Sequence, residues 1–171
     1  MSGDSRIAYQ GSRFSVSVVE RKNPDGVTRQ CEVIRHPGSV ALLPLLDDGR
    51  ICLIRNHRVT VDETLIEVPA GTREPNEAPM ATAHRELIEE TGYTAGKLTQ
   101  LASFFPAPGL LDEEMFIFVA ENLSAGDAQR EPYEEIENLI VPMEEALQMI
   151  NDGRIKDAKT IISLLLYSAS K

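Results

Sequence analysis

The segment GTREPNEAPMATAHRELIEETGY, residues 71–93, is the most informative part of this sequence. It begins with a turn-rich loop that starts at Gly71, and we predict a helix from about Pro79 to Thr91. Gly92 follows as a natural helix stop, because glycine tolerates the left-handed backbone conformation that ends many helices. Apolar residues recur within the helix at the spacing of a stripe that faces a core: Met80, Ala83 and Leu87.

The same helix carries three carboxylates within five positions, Glu86, Glu89 and Glu90. Residues three and four apart are neighbours on a helix, and each solvated pair of like charges costs about 0.2–0.5 kcal/mol. A bound divalent cation reverses that sign, since Mg²⁺ prefers oxygen ligands such as carboxylates and phosphates. From these residues alone, acidic side chains on a solvated helix face are the favoured interpretation, and a metal site is the alternative.

The wider segment changes that interpretation, because it resembles the Nudix box. The matching positions are Gly71, Glu77, Arg85, Glu86, Leu87, Glu89, Glu90 and Gly92. Tyr93 departs mildly from the aliphatic residue that is usual after the last glycine. Many fixed positions over one long window make this resemblance far more specific than a lone glycine motif.

The resemblance implies a loop–helix–loop that holds Mg²⁺, or Mn²⁺, against a nucleoside diphosphate derivative whose pyrophosphate bond is hydrolysed. It implies Glu86 and Glu90 as main metal ligands, with Glu89 assisting and Ala70 offering its backbone carbonyl. Glu89 and Arg85 also belong to the implied catalytic set. Arg85 is expected to orient its neighbours, and a salt bridge to Glu89 is its plainer interpretation.

The flanking residues resemble the ADP-ribose pyrophosphatase branch of the family. IEVPAG, residues 66–71, resembles the entry to the box in that branch. FFPAPGLLDEE, residues 104–114, resembles its Ser-Pro-Gly…Glu loop, although Ala107 replaces the serine. Glu113 is therefore the catalytic candidate outside the box, as a general base for the attacking water. A solvated acid is the alternative, and the choice between Glu113 and Glu114 stays open.

Two further residues are candidates for substrate binding. Arg58 stands where the branch often has an arginine that can clamp a phosphate, although its neighbours Asn56 and His57 depart from the pattern. Glu67 is a candidate for holding a water or a ribose hydroxyl, and an ordinary strand acid is the alternative. For stacking on adenine, Phe14 and Phe105 are candidates, but we favour core positions for both.

The pattern of strands and helices predicts an α/β or α+β layered domain, which the resemblance specifies as an α/β/α sandwich with a mixed sheet. A hairpin is predicted around the turn at residues 23–26, and another around residues 47–49, between two apolar runs. We expect an N-terminal antiparallel extension over residues 1–36 and the hydrolase domain over 37–171. The resemblance implies that the extension serves a homodimer.

The composition indicates which binding partners and which cellular location to expect for the protein. A formal net charge of -10 over 171 residues argues against nucleic acid or an anionic membrane as partner. An acidic protein that binds an anionic substrate needs a local cation. Cys31 and Cys52 show no metal or redox spacing, and no stretch is long enough to span a bilayer. We therefore expect a reduced, cytoplasmic protein.

Taken together, the sequence predicts Mg²⁺-dependent hydrolysis of ADP-ribose to AMP and ribose 5-phosphate. Another substrate for the same chemistry is an alternative, with GDP-mannose, another nucleotide sugar or NADH as examples. A non-catalytic domain that senses a nucleotide is the third alternative. The complete set of box carboxylates argues against it, since a sensor does not need them all.

Overall fold

The computed structural model describes residues 5–130 and 135–171. Over these ranges the chain forms ten strands and three helices. The strands are β1 Ser5–Gln10, β2 Ser15–Lys22, β3 Thr28–Arg35, β4 Ser39–Pro44, β5 Arg50–Arg58, β6 Glu63–Glu67, β7 Ala70–Thr72, β8 Tyr93–Phe104, β9 Met115–Ala125 and β10 Ile136–Pro142. The helices are α1 Pro79–Thr91, α2 Met143–Asn151 and α3 Ala158–Ala169.

A mixed sheet with strand order β7-β4-β9-β8 lies at the centre, and β4 runs parallel to β9 within it. Successive side chains of a strand point to opposite faces, so β4 contributes to two cores. Val40 and Leu42 pack with Ala83 and Leu87 of α1. The opposite face of the sheet packs against the second sheet and against α2 and α3. This layering confirms the predicted mixed α and β architecture.

The second sheet has the strand order β10-β5-β6, and its presence corrects the prediction of a hairpin around residues 47–49. The tight turn is present, and the Gly49 N–H donates to the Leu46 carbonyl at 2.9 Å. The two apolar runs that it joins are antiparallel next to the turn, where Leu45 and Ile51 form a bridge and the Leu46 N–H donates to the Arg50 carbonyl at 2.9 Å, but they do not continue as the predicted hairpin of two paired strands. Beyond it the runs enter different sheets, since both are buried and each needs strand partners within the core.

The N-terminal residues form a separate antiparallel sheet of order β1-β2-β3. The predicted hairpin is confirmed as β2 and β3, and its turn closes with a hydrogen bond from the Gly26 N–H to the Asn23 carbonyl at 3.0 Å. Strand β1 was not predicted, and all six of its residues are exposed. The division into residues 1–36 and 37–171 stays a prediction.

Helix α1 has the predicted bounds, and Ala83 and Leu87 face the core as expected. Met80 was wrongly placed there, since it is 49% exposed in the first turn, before the helix reaches the sheet. Core positions for Phe14 and Phe105 were also wrong, because their exposed fractions are 42% and 55%. Within the described residues, no helix is long and apolar enough to cross a membrane.

Candidate active site

The short strand β7 and helix α1 frame the site through an unusually close approach. Gly71, in the middle of β7, lies directly under the carboxylate of Glu86. A Cβ atom added at Gly71 would fall 1.8 Å from the Glu86 Cδ, far inside van der Waals contact. Any larger residue here would force the Glu86 carboxylate to move, whereas glycine allows the carboxylate of α1 to lie against the backbone of the sheet.

Arg85 is the hub of the charged side chains on α1. Its Nη1 donates to Glu86 Oε1 at 2.6 Å and to Glu89 Oε2 at 2.9 Å. Its Nη2 donates to the Thr72 carbonyl at 3.2 Å. Nε and Nη2 also donate to the two oxygens of Glu77, at 3.1 and 3.0 Å. The predicted orienting role fits this geometry, because one planar guanidinium joins two carboxylates of the helix to the preceding loop.

Glu77 closes the loop in front of the helix. Besides Arg85, its carboxylate accepts from the Thr82 hydroxyl at 2.8 Å and from the Glu74 N–H at 3.0 Å. The hydrogen bonds from Arg85 contribute most to lowering the pKa of Glu77 to about 2. The same pairing raises the pKa of Arg85, which therefore stays charged. Glu77 thus remains an anion that fixes the guanidinium.

Glu90 reaches β7 one turn further along the helix. It is buried, and its Oε2 accepts from the Ala70 N–H at 2.8 Å. Ala70, predicted to offer its carbonyl to a metal, thus already contacts one of the predicted ligands. No group of three Asp, Glu, His or Cys side chains placed to hold a metal ion occurs in residues 5–130 and 135–171.

The donor chemistry nevertheless fits Mg²⁺. Glu86 and Glu89 share the same Arg85 nitrogen, which places their oxygens on one side of the helix. Mg²⁺ in proteins is commonly bound by one or two carboxylates together with substrate phosphates, rather than by a complete protein cage. The metal role of Glu86, Glu89, Glu90 and Ala70 stays a prediction.

The two residues predicted to bind substrate form an ion pair with each other. Arg58 donates through Nε and Nη2 to both oxygens of Glu67, at 2.8 and 2.7 Å. Lys159 of α3 also donates to Glu67, which is completely buried. Burial alone raises the pKa of Glu67, but Arg58 and Lys159 more than offset this and hold it below its usual value. Arg58 remains partly exposed, and Glu67 fixes its orientation.

Glu113 lies in the loop of residues 105–114, just before β9 and beside the start of β4. Its Oε1 accepts from the Ser39 hydroxyl at 2.5 Å and lies 3.7 Å from His36 Nδ1. Ser39 pairs with Thr72 of β7, whose carbonyl accepts from Arg85. Glu113 is therefore connected to the carboxylate helix through one end of the central sheet.

Three residues around the site were not predicted to take part: His36, Ser39 and Lys159. His36 lies in the segment HPG just before β4, and Ser39 is the first residue of β4. Lys159 opens a helix with a long apolar run, and its contact with Glu67 joins residues 92 positions apart. The signal that the sequence offered for these three residues was their position, since each is a polar residue near the start of a strand or helix.

Comparisons with known proteins agree with this geometry. The sequence model described as the NUDIX domain matches residues 35–164. The ADP-ribose pyrophosphatase of Bacillus subtilis (strain 168) is 38% identical over 158 residues, covering 91% of this chain and 85% of the relative. The GDP-mannose pyrophosphatase of Enterobacter sp. (strain 638) is 36% identical, covering 84% and 80%.

Among solved structures, an ADP compounds hydrolase superposes with a TM-score of 0.85 at 24% identity, covering 99% of this chain and 92% of that chain. At this identity the likeness shows the fold alone. The family match spans most of the chain and includes the loop and helix that carry Glu77, Arg85, Glu86, Glu89 and Glu90. The chain therefore belongs to the Nudix family and is a Nudix hydrolase.

Proposed function

We propose that this protein hydrolyses the pyrophosphate bond of ADP-ribose, in the presence of Mg²⁺, to AMP and ribose 5-phosphate. The observation that carries the proposal is the joining of Glu86 and Glu89 by Arg85 beside β7, with Glu90 bonded to the same strand. This arrangement gathers oxygen donors at one place on an acidic protein. The substrate is suggested by the name of the Bacillus subtilis relative.

Mg²⁺, or Mn²⁺ in its place, supplies positive charge that screens the diphosphate and polarises the phosphorus centre. Glu86, Glu89 and Glu90, with the Ala70 carbonyl, would hold it. Arg85 restrains two of these carboxylates, so that they need little reorganisation when substrate binds. Glu77 in turn restrains Arg85 through the two hydrogen bonds described above.

Arg58 is placed to contact a phosphate of the substrate. Two of its nitrogens donate to Glu67, and its side chain as a whole is partly exposed. The hydrogen bonds to Glu67 contribute most to raising the pKa of Arg58, and the negative charge of Glu90 on α1 raises it further.

Glu113 is the proposed general base, and it accepts a proton from the attacking water. Its loop contains Pro106, Pro108 and Gly109, and its carboxylate is partly buried beside Ser39. General-base assistance is worth about 10²–10⁴-fold in rate. Glu113→Gln should lower kcat by that order while leaving KM nearly unchanged. Loss of activity in Glu114→Gln, with full activity in Glu113→Gln, would assign the role to Glu114 instead.

A panel of nucleoside diphosphate derivatives tests the substrate. ADP-ribose, GDP-mannose, another nucleotide sugar and NADH are each incubated with the protein and Mg²⁺, and the released nucleotide monophosphate is quantified. We expect the highest kcat/KM for ADP-ribose. A higher kcat/KM for GDP-mannose, the substrate named for the Enterobacter relative, would overturn the substrate but leave the chemistry in place. Binding without turnover on every substrate would favour the sensing alternative.

The proposal includes a homodimer that uses the sheet β1-β2-β3. Ile7 and Tyr9 are exposed on β1, Phe14 is exposed just before β2, and Val27 is exposed just before β3. The rings of Tyr9 and Phe14 lie 6.0 Å apart, so this part of the protein presents apolar surface that a partner could cover. Sedimentation over a range of concentrations should give a dimer, and Ile7→Glu together with Tyr9→Glu should shift it toward monomer. A monomer at all concentrations for the unmodified protein would contradict this part.

We also propose that the protein is located in the cytoplasm. Both cysteines are free thiols, with Cys52 buried in β5 and Cys31 exposed on β3, as a reducing compartment would leave them. Burial raises the pKa of the Cys52 thiol to about 12, so this group is inert. Cell fractionation would check the location directly.

A further inference from the structure

We propose that Ser39 is a positioning residue for the catalytic carboxylate of Glu113. The inference rests on the proposed role of Glu113 as the base and goes beyond it, because it names the group that fixes the base. Ser39 opens β4, whereas Glu113 ends the loop before β9, so the two residues are 74 positions apart. Their contact therefore depends on the tertiary structure and not on a local turn.

The contact is short and protected from water. The Ser39 hydroxyl donates to Glu113 Oε1 at 2.5 Å, and Ser39 itself is only 5% exposed. A hydrogen bond to a charged acceptor is stronger and more directional than one between neutral groups. The Ser39 backbone also donates to the Glu114 carbonyl at 3.1 Å, which fixes the neighbouring peptide. Both main chain and side chain of Ser39 thus restrain the same end of the loop.

The side chain of His36 also lies close to this carboxylate, but it does not replace Ser39 as a donor. Its Nδ1 accepts a hydrogen bond from the Gly38 N–H at 3.1 Å and therefore presents a lone pair there. Its 3.7 Å separation from Glu113 Oε1 is too long for a hydrogen bond. The Ser39 hydroxyl is thus the donor that determines where Oε1 lies.

The loop itself is anchored by the end of β3. The Ile34 N–H donates to the Leu110 carbonyl at 3.0 Å, and the Asp112 N–H donates to the Ile34 carbonyl at 3.1 Å. The Asp112 side chain accepts from Arg35 and from the His36 N–H, both at 2.9 Å. These bonds hold the backbone next to Glu113 in place. Rotation of the Glu113 side chain is left for Ser39 to restrain.

One oxygen of Glu113 remains for the reaction. The Ser39 hydrogen bond is made to Oε1, and within residues 5–130 and 135–171 no hydrogen bond to Oε2 is present. A carboxylate held at one oxygen can present the other to water in a single orientation. Effective general-base catalysis requires this, because the base must lie within hydrogen-bonding reach of the proton that it removes.

A double-mutant cycle on Ser39→Ala and Glu113→Gln tests the inference, with ADP-ribose hydrolysis as the assay. Ser39→Ala should lower kcat about 10-fold and leave KM within about twofold, because misplacement of a catalytic group affects mainly the transition state. In the Glu113→Gln background the same substitution should change kcat by less than about twofold, since residues that act through one another are not additive.

Ser163→Ala is the matched control, because it removes another buried serine hydroxyl, one that donates to the Lys159 carbonyl on α3. The control substitution should leave kcat unchanged. The thermal unfolding midpoint of Ser39→Ala is measured separately, to confirm that this variant is folded. Two results would overturn the inference about Ser39 while leaving the proposed base in place. One is an equal loss of kcat from Ser39→Ala in both backgrounds, and the other is full activity of Ser39→Ala when Glu113→Gln is inactive. Full activity of Glu113→Gln would overturn the proposed base and the inference with it.

Discussion

The substitution Glu77→Gln tests how the loop before α1 holds the site together. It keeps the shape of the side chain and removes the charge that pairs with Arg85. In the folded protein the pKa of Glu77 is lowered from its ordinary value of 4.5 to about 2, mainly by that pairing. Because each tenfold change in proton affinity is worth about 1.4 kcal/mol, a depression of this size corresponds to about 3 kcal/mol.

Solvent screening reduces the stability that Glu77 actually contributes. The pair lies near the surface, and the side chain of Arg85 is 28% exposed. We therefore expect Glu77→Gln to lower the free energy of unfolding by about 1–2 kcal/mol at pH 7. A carboxylate with a depressed pKa stabilises the fold above its unfolded-state pKa and loses this contribution as the pH falls. The difference between wild type and variant should therefore shrink from pH 4.5 toward about pH 2.

Urea unfolding of both proteins between pH 7 and pH 3 measures this difference. Glu74→Gln is the matched control, because Glu74 is exposed in the same loop and bonds to Glu77 through its backbone: its N–H donates to the Glu77 carboxylate, and its carbonyl accepts from the Glu77 N–H at 3.0 Å. The control should not depart from wild type by more than about 0.5 kcal/mol. A difference for Glu77→Gln that stays constant over the whole pH range would refute the ion-pair reasoning, as would no difference at pH 7.

Three further substitutions follow from the same structure. Gly71→Ala adds a methyl group where the Glu86 carboxylate now lies and forces that carboxylate to move, so kcat should fall on the order of 10²-fold while the circular dichroism spectrum keeps its shape. Glu67→Gln leaves Arg58 without its fixed partner and breaks a buried ion pair, so thermal or urea unfolding should show a loss of about 3 kcal/mol, accompanied by a raised KM. Asp157→Ala removes the side-chain cap of α3 and should cost about 1 kcal/mol in the free energy of unfolding by urea.

The helix and its loop could be predicted from the sequence because their determinants are local. Apolar spacing, the proline at the start and the glycine at the end define α1, and the structure has it at Pro79–Thr91 as predicted. Met80 shows the limit of the pattern. Periodicity identifies a face of the helix, but the sheet covers only part of that face, and the first turn extends beyond it.

The parts that could not be predicted depend on residues far apart in the chain. Nothing near residues 47–49 indicates that β4 pairs with β9 in parallel and not with β5, since that choice is made by the whole core. Strand β7 has only three residues and was interpreted as loop. The contacts of Ser39 with Glu113 and of Lys159 with Glu67 likewise join residues more than 70 positions apart.

The most direct test of the central claim is a Mg²⁺ titration of ADP-ribose hydrolysis by wild type and by Glu90→Gln. Glu90 is buried on α1 and bonded to the Ala70 N–H, so the substitution alters one proposed ligand without removing side-chain volume. We predict that EDTA abolishes wild-type turnover and that Glu90→Gln loses on the order of 10²-fold or more in kcat at saturating Mg²⁺. A rate near that of wild type for Glu90→Gln at saturating Mg²⁺ would contradict the claim that the carboxylates of α1 carry the reaction.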